Sequence, residues 1–214
     1  MGKAEAVRVA LDALVAATLA PCCAACERVL ERPLDGPVCP RCWDDVSCSQ
    51  GAYDGAMRGV IQAFKYERRR SLGARLGAIL RVAGAGTLQD AACVVPVPLH
   101  PWRRFRRGFN QAADLSQQLE RPVVHALWRM RATSAQAGLT APQRRRNVRG
   151  AFRLSPLLSE QSRRRYVEDC VVVLVDDVRT TGATLGECAA VLTAAGAREV
   201  RTLTLARAEL DWTA

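Results

Sequence analysis

Apolar residues recur along the chain with two different periods. From Ala4 to Leu19, the residues Val7, Leu11, Leu14, Val15 and Leu19 fall at spacings of three and four, with Arg8 and Asp12 off the stripe. That spacing predicts one amphipathic helix whose stripe packs into a core, ended by Pro21. After Gly51 the helical period returns twice, in YDGAMRGVIQAFKYE and in SLGARLGAILRVAGA, and breaks near Gly84 and Gly86. AACVVPVPL reads instead as a buried strand that leaves its sheet at Pro96 and Pro98. An arginine-dense turn, HPWRRFRRGFNQ, leads into a helix from about Gln111 to Leu119. Between Arg129 and Arg153 periodicity is weak, and a connection that long inside a compact domain is functional or disordered. A polar segment, the strand CVVVLV, a helix from about Thr184 to Ala195, a turn at Gly196 and the strand EVRTLTLA complete the pattern. Strands alternating with helices predict an α/β fold, a parallel sheet flanked by helices on both faces.

With 214 residues, 49% of them hydrophobic, the chain has enough apolar surface for one full α/β domain and a small appendage. Lys and Arg number 31 against 21 Asp and Glu, a formal net charge of +10, which favours an anionic partner such as nucleic acid, nucleotide or membrane surface. Charge does not choose among these, and a GC-rich coding bias produces the same arginine excess. ALVAATLAPCC has the outline of a signal peptide, but Asp12 interrupts it and Pro21 stands where a small residue is needed. No other apolar stretch approaches the ~20 residues that span a bilayer, so the expectation is a cytoplasmic protein without membrane insertion.

Five of the nine cysteines crowd between residues 22 and 42. Cys23-x-x-Cys26 and Cys39-x-x-Cys42, twelve residues apart, have the spacing of tetrahedral zinc in a reducing compartment rather than of a secreted disulfide framework. Four thiolates leave no open position for water, so the zinc is structural, and it would supply about 10 to 16 kcal/mol to a segment too small for its own core. Cys22 and Cys48 remain possible substitutes. The expected organisation is an N-terminal helix and zinc module over residues 1–50 and a larger domain over 51–214. Trp43 and Tyr53 are candidates either for packing on the zinc turn or for stacking on bases, and Cys93, Cys170 and Cys188 read as small core residues.

The densest chemistry lies in VVVLVDDVRTTGATL. Five apolar residues from Val171 to Val175 predict a central parallel strand, ending at Asp176 and Asp177 and followed by Thr180, Thr181, Gly182, Ala183 and Thr184. Ligands of open α/β sheets sit at the carboxyl ends of the strands. There Gly182 permits a tight turn, and the amides opening the next helix favour an anion by about 0.3 to 1 kcal/mol. Two carboxylates aimed at the same pocket accept hydrogen bonds from vicinal ribose hydroxyls or hold magnesium. A helix cap alone needs one such side chain, so the set points to a ribose phosphate.

VVLVDDVRTTGAT resembles the signature of type I phosphoribosyltransferases. The resemblance implies that Asp176 and Asp177 are the ribose-binding and, where turnover occurs, catalytic acids, and that Thr180, Thr181, Gly182, Ala183 and Thr184 hold the 5′-phosphate. Arg179 departs from the pattern, standing where those enzymes carry an aliphatic residue. YDGAMRGVIQAFKY, VVPVPLHPWRRFRRGFNQAADLS and QAGLTAPQRRRNVRGAF, in that order behind the four cysteines, resemble the ComF competence family. By order along the chain, Leu99 to Asn110 would form the pyrophosphate-side turn and about Arg131 to Phe152 a mobile loop. Arg103, Arg104, Arg106, Arg107 and Arg144 would then neutralise pyrophosphate or a nucleic-acid backbone; Gln136, Asn147 and Lys65 also match the family. The resemblance implies binding of phosphoribosyl pyrophosphate or a related ribose phosphate with magnesium. It further implies single-stranded DNA and DNA-uptake proteins as partners, in natural transformation. The alternative is a working phosphoribosyltransferase of nucleotide metabolism, displacing pyrophosphate at the ribose anomeric carbon, although no segment is assignable to an acceptor.

Overall fold

Val171 to Val175, all but inaccessible to solvent, form the middle of a parallel sheet, and each buried side chain contributes about 1.5 to 3 kcal/mol. The computed structural model describes residues 2–49, 51–67, 69–131 and 141–208, without the side chains of Lys3, Arg106, Ala141, Arg144 and Arg145. The chain divides into two compact units, Met1–Ser71 and Leu72–Ala214.

The second unit runs α4 (Leu72–Ala83), α5 (Ala85–Leu88), β1 (Cys93–Pro96), α6 (Pro101–Arg107), α7 (Gln111–Ser116), β2 (Leu127–Arg129), α8 (Ala141–Val148), β3 (Phe152–Leu154), α9 (Glu160–Tyr166), β4 (Val171–Arg179), α10 (Ala183–Ala194) and β5 (Glu199–Arg207). Among the described residues the main sheet has the order β1-β4-β5, all parallel, with Cys93 opposite Val172 and Val171 opposite Glu199. Leu185, Cys188 and Leu192 of α10 pack on Cys93, Val95, Val172 and Leu174, while α4 and α7 lie against the other face. A separate antiparallel pair, β2 and β3, joins the α10 side through Leu127 and Phe152.

Three local outcomes differ from the sequence expectation. β4 does not stop at the acids: β5 continues beside it, pairing Asp176 with Thr204 and Arg179 with Arg207. In an extended strand successive side chains alternate, so Asp176 shares the face of Val172 and Leu174, and Asp177 the face of Val173 and Val175. HPWRRFRRGFNQ is not a turn but the helix α6, started by Pro101, with His100 Nδ1 accepting from Trp102 N at 3.3 Å, and ended by Gly108 at φ 81°. The described second half of the Arg129–Arg153 connection is ordered as α8, which packs on α10; Gly150 N donates to Glu187 of α10 at 2.8 Å.

The first unit holds α1 (Lys3–Leu19), a short 3-10 turn (Pro33–Asp35), α2 (Pro40–Cys48) and α3 (Gly55–Tyr66). The helix α1 forms as its period predicts, but its apolar stripe is not core: Val7, Leu11, Leu14 and Leu19 are exposed, and Asp12 is only 5% exposed. Asp12 accepts a hydrogen bond from Leu34 N at 2.9 Å, and Arg8 pairs with Asp35 at 2.5 Å, so polar contacts to the 3-10 turn fix which side faces in. The core of this unit is instead Cys42, Trp43 and Val46 of α2 against Met57, Val60, Ile61 and Phe64 of α3. At Gly59 a Cβ would come within 2.7 Å of Ala25 Cα, which seats α3 directly on the first cysteine turn.

Candidate functional site

The first cysteine pair lies in a tight turn. Cys23 N donates to Arg28 O at 2.8 Å and Glu27 N to Cys23 O at 2.9 Å, with Glu27 at φ 60°. The second pair comes from a helix start: Cys39 is the N-cap residue of α2 and Cys42 lies in its first turn. Together they bring the sulfurs of Cys23, Cys26, Cys39 and Cys42 within 4.8 Å of one another, a group that could hold a metal ion. Cys22 and Cys48 are exposed and outside that group. Burial works against ionisation of Cys23, yet hydrogen bonds from the backbone of Cys39, Cys26 and Ala25 outweigh it and hold the thiol down at about 6. Burial pushes Cys42 and Cys39 up, and the negative charge of Cys23 adds to the rise at Cys42. Four thiols this close cannot ionise together without a cation among them.

At the carboxyl end of β4 the chain crosses Thr180 to Gly182 and enters α10. Gly182 is the N-cap residue at φ 72°, in the left-handed region that favours glycine, and makes no side-chain cap hydrogen bond. Thr181 Oγ1 accepts a long hydrogen bond from Ala183 N at 3.4 Å. Thr180, Thr181, Ala183 and Thr184 are half-buried around this turn. The guanidinium of Arg179 folds back over it: a Cβ on Gly182 would lie 3.4 Å from Arg179 Nε. Asp177 is 8% exposed, Asp176 is half-buried, and Asp176 Oδ1 accepts from Asp177 N at 2.9 Å. Such a turn offers backbone donors to an anion, and the two carboxylates before it leave β4 on opposite faces rather than side by side.

One residue at this site was not singled out from the sequence. Arg129, at the end of β2, is 5% exposed, and its guanidinium lies 5.2 Å from the ring centre of Phe152, its cross-strand partner. Burial and the charge of Arg103 lower its pKa, while Cys188 and Asp176 favour its charged form. Arg129 shares the inward face of β2 with Leu127, which packs on the α10 side of the sheet. Cys188 shares the neighbourhood, its thiol pushed up by burial and then by Asp176. In the structure Trp128 turns outward and strand alternation puts Arg129 on the inward face with Leu127, but three residues are too few to show that period in the sequence.

The other expected residues scatter more. Arg103 is half-buried; Arg104 is exposed; Arg107 donates to Gln111 Oε1 at 3.2 Å, between α6 and α7. Asn110 caps α7 by accepting from Ala112 N at 3.1 Å and donates back to Val97 O at 3.1 Å, so this part of the motif ties the turn to β1. Asn147 is half-buried in α8, and Lys65 is half-buried in α3. Gln136 lies outside the described residues, as do the side chains of Arg106 and Arg144.

Comparison with known proteins identifies the domain and the family. The phosphoribosyl transferase domain model matches residues 105–212. Competence protein F of Haemophilus influenzae is 36% identical over 168 residues, covering 74% of this chain and 71% of that protein. DNA utilization protein YhgH of Escherichia coli K12 is 37% identical over 169 residues, covering 72% and 69% respectively. Competence protein ComFC of Bacillus subtilis is 36% identical over 118 residues, 53% of this chain and 44% of the relative. The chain thus carries a phosphoribosyl transferase domain and belongs to the ComF competence family.

Proposed function

We propose that this protein binds phosphoribosyl pyrophosphate, or a related ribose phosphate, with magnesium at the turn between β4 and α10, and handles single-stranded DNA in the cytoplasm during DNA uptake. Zinc on Cys23, Cys26, Cys39 and Cys42 stabilises the first unit. The observation that carries the ligand reading is the start of α10. Its first amides open at the carboxyl end of the central strand behind Gly182, which has no side chain to cap them, and Asp176 and Asp177 lie on the two faces of that strand just before the turn. Thr180, Thr181 and Thr184 add hydroxyl donors around the same turn, and Arg103 supplies positive charge on the pyrophosphate side. The competence and DNA utilization names of the relatives support the role in DNA uptake, in company with other uptake proteins. A net charge of +10 suits a polyanionic partner.

Binding of a labelled DNA strand measured against salt tests the nucleic-acid part. If about five arginines meet phosphates, the log-log slope is near −3.5, from roughly 0.7 per phosphate. Salt-independent or undetectable binding contradicts it. Pyrophosphate release on adding a candidate acceptor would mark turnover as well as binding.

A further inference from the structure

The helix α6 is amphipathic in the reverse sense. Its arginines Arg103 and Arg107 are half-buried, Arg103 close enough to Arg129 to depress its pKa and Arg107 bonded to Gln111. Its large apolar side chains face out: Trp102 is 62% exposed and Phe105 78% exposed. They lie three residues apart on one face, with ring centres 6.1 Å apart and planes within 23° of parallel. Surface helices ordinarily bury such rings. Here the anchoring is done by Phe109, just beyond the helix and buried, so Trp102 and Phe105 are not needed to hold α6 in place. Because β1 and β4 are parallel, α6 follows the same end of the sheet as the Thr180–Gly182 turn.

What covers these rings must also tolerate the charge around them. Arg104 is exposed on the same short helix, beside the half-buried arginines. An ordinary apolar partner surface would desolvate that charge without compensation. A single strand of nucleic acid offers both complements, flat bases for the rings and phosphates for the guanidinium groups. Of the two aromatic residues offered by the sequence for stacking, Trp43 is buried in the first unit and Tyr53 is half-buried.

We propose that Trp102 and Phe105 are a base-stacking step for single-stranded nucleic acid, with the exposed Arg104 meeting its phosphates. This rests on the reading above that the chain binds such a strand, and adds where the bases sit. Stacking of this kind is sequence-tolerant, and losing one ring weakens binding by about five- to 150-fold.

The test uses the full chain and labelled oligo(dT). Trp102→Ala/Phe105→Ala should weaken binding by at least about tenfold with an unchanged salt slope, and Trp102→Phe/Phe105→Trp, which keeps both rings, should restore it. Arg104→Gln should instead make the slope shallower by about 0.7. The rings do not read the sugar, so the double alanine variant should lose affinity for oligo(rU) by the same factor. Both rings are exposed, so the circular dichroism spectrum and thermal midpoint should match the parent and report that each variant is folded. If the parent binds oligo(dT) and the double alanine variant binds it equally well, or loses affinity for only one of the two strands, the stacking step is overturned and the broader reading stands. If the parent binds neither strand while still binding phosphoribosyl pyrophosphate, the nucleic-acid reading and the stacking step fall together.

Discussion

Replacing Gly182 with alanine probes the β4–α10 turn with a single methyl group. Gly182 sits at φ 72°, where a side chain costs about 1 to 2 kcal/mol. Direct crowding adds little, because the new Cβ meets Arg179 Nε at 3.4 Å, an ordinary contact with the flexible end of a side chain. Alanine also narrows the unfolded ensemble, which returns about 0.4 to 1 kcal/mol. The net loss is therefore about 1 kcal/mol, a fall in melting temperature of roughly 2 to 4 °C for a unit of this size. If the backbone relaxes out of the left-handed region to relieve the strain, the amides at the start of α10 turn away from the anion, and affinity for phosphoribosyl pyrophosphate should drop at least about tenfold, the worth of one charge-assisted hydrogen bond. Gly86→Ala is the control: this residue lies in α5 with open space where its Cβ would stand, and alanine there should be neutral or stabilising. Thermal unfolding followed by circular dichroism, with calorimetric titration of the ligand, reads both effects. A Gly182→Ala protein as stable as the parent and equally tight for the ligand would refute the role given to this turn.

Arg129→Met should weaken ligand binding while leaving the urea midpoint unchanged or raised, since methionine fills the buried site without the desolvation that already depresses the arginine's pKa; a large fall in midpoint would show that Arg129 is structural. The purified chain should contain one zinc per molecule by elemental analysis. Cys42→Ala or strong chelation should unfold the first unit, seen as fast amide exchange in α2 and α3, and intact protection after complete metal loss would contradict a structural ion. On α9, Arg163 and Arg164 hold the Glu160 carboxyl well down, at about 2 from an ordinary 4.5. Its folded value lies below the unfolded one, so its contribution is present above pH 4.5 and fades as pH falls toward 2. Glu160→Gln should flatten the stability profile in that window, and an unchanged profile would show that the pair has no effect in solution.

What the sequence made legible was what depends on local period and spacing. The run Val171 to Val175, the glycine at 182 and the helix after it are written in adjacent residues, and the two C-x-x-C pairs state their own geometry. The failures came where a distant partner decides. The acids were expected to end β4 and share one pocket, but β5 runs alongside as far as Arg207 and extends the strand, which sends Asp176 and Asp177 to opposite faces. In α1 the apolar stripe argued for burial, whereas Leu34 and Asp35 select the face that carries Asp12 and Arg8. Arg129 escaped notice because a three-residue strand is too short to show a period. In α6 the density of arginines reads as a polar turn, and only the fold reveals that Arg103 and Arg107 are half-buried while the rings face out.

The most direct measurement of the central claim is a calorimetric titration of the purified chain with phosphoribosyl pyrophosphate and magnesium, repeated on Asp176→Asn/Asp177→Asn. The parent should bind one ligand per chain, with affinity dependent on magnesium, and the double variant should lose at least about tenfold, since hydrogen bonds to a charged group contribute about 1.5 to 3 kcal/mol each. No heat of binding with the folded parent, or equal affinity in the variant, would contradict a ribose-phosphate site at the end of β4.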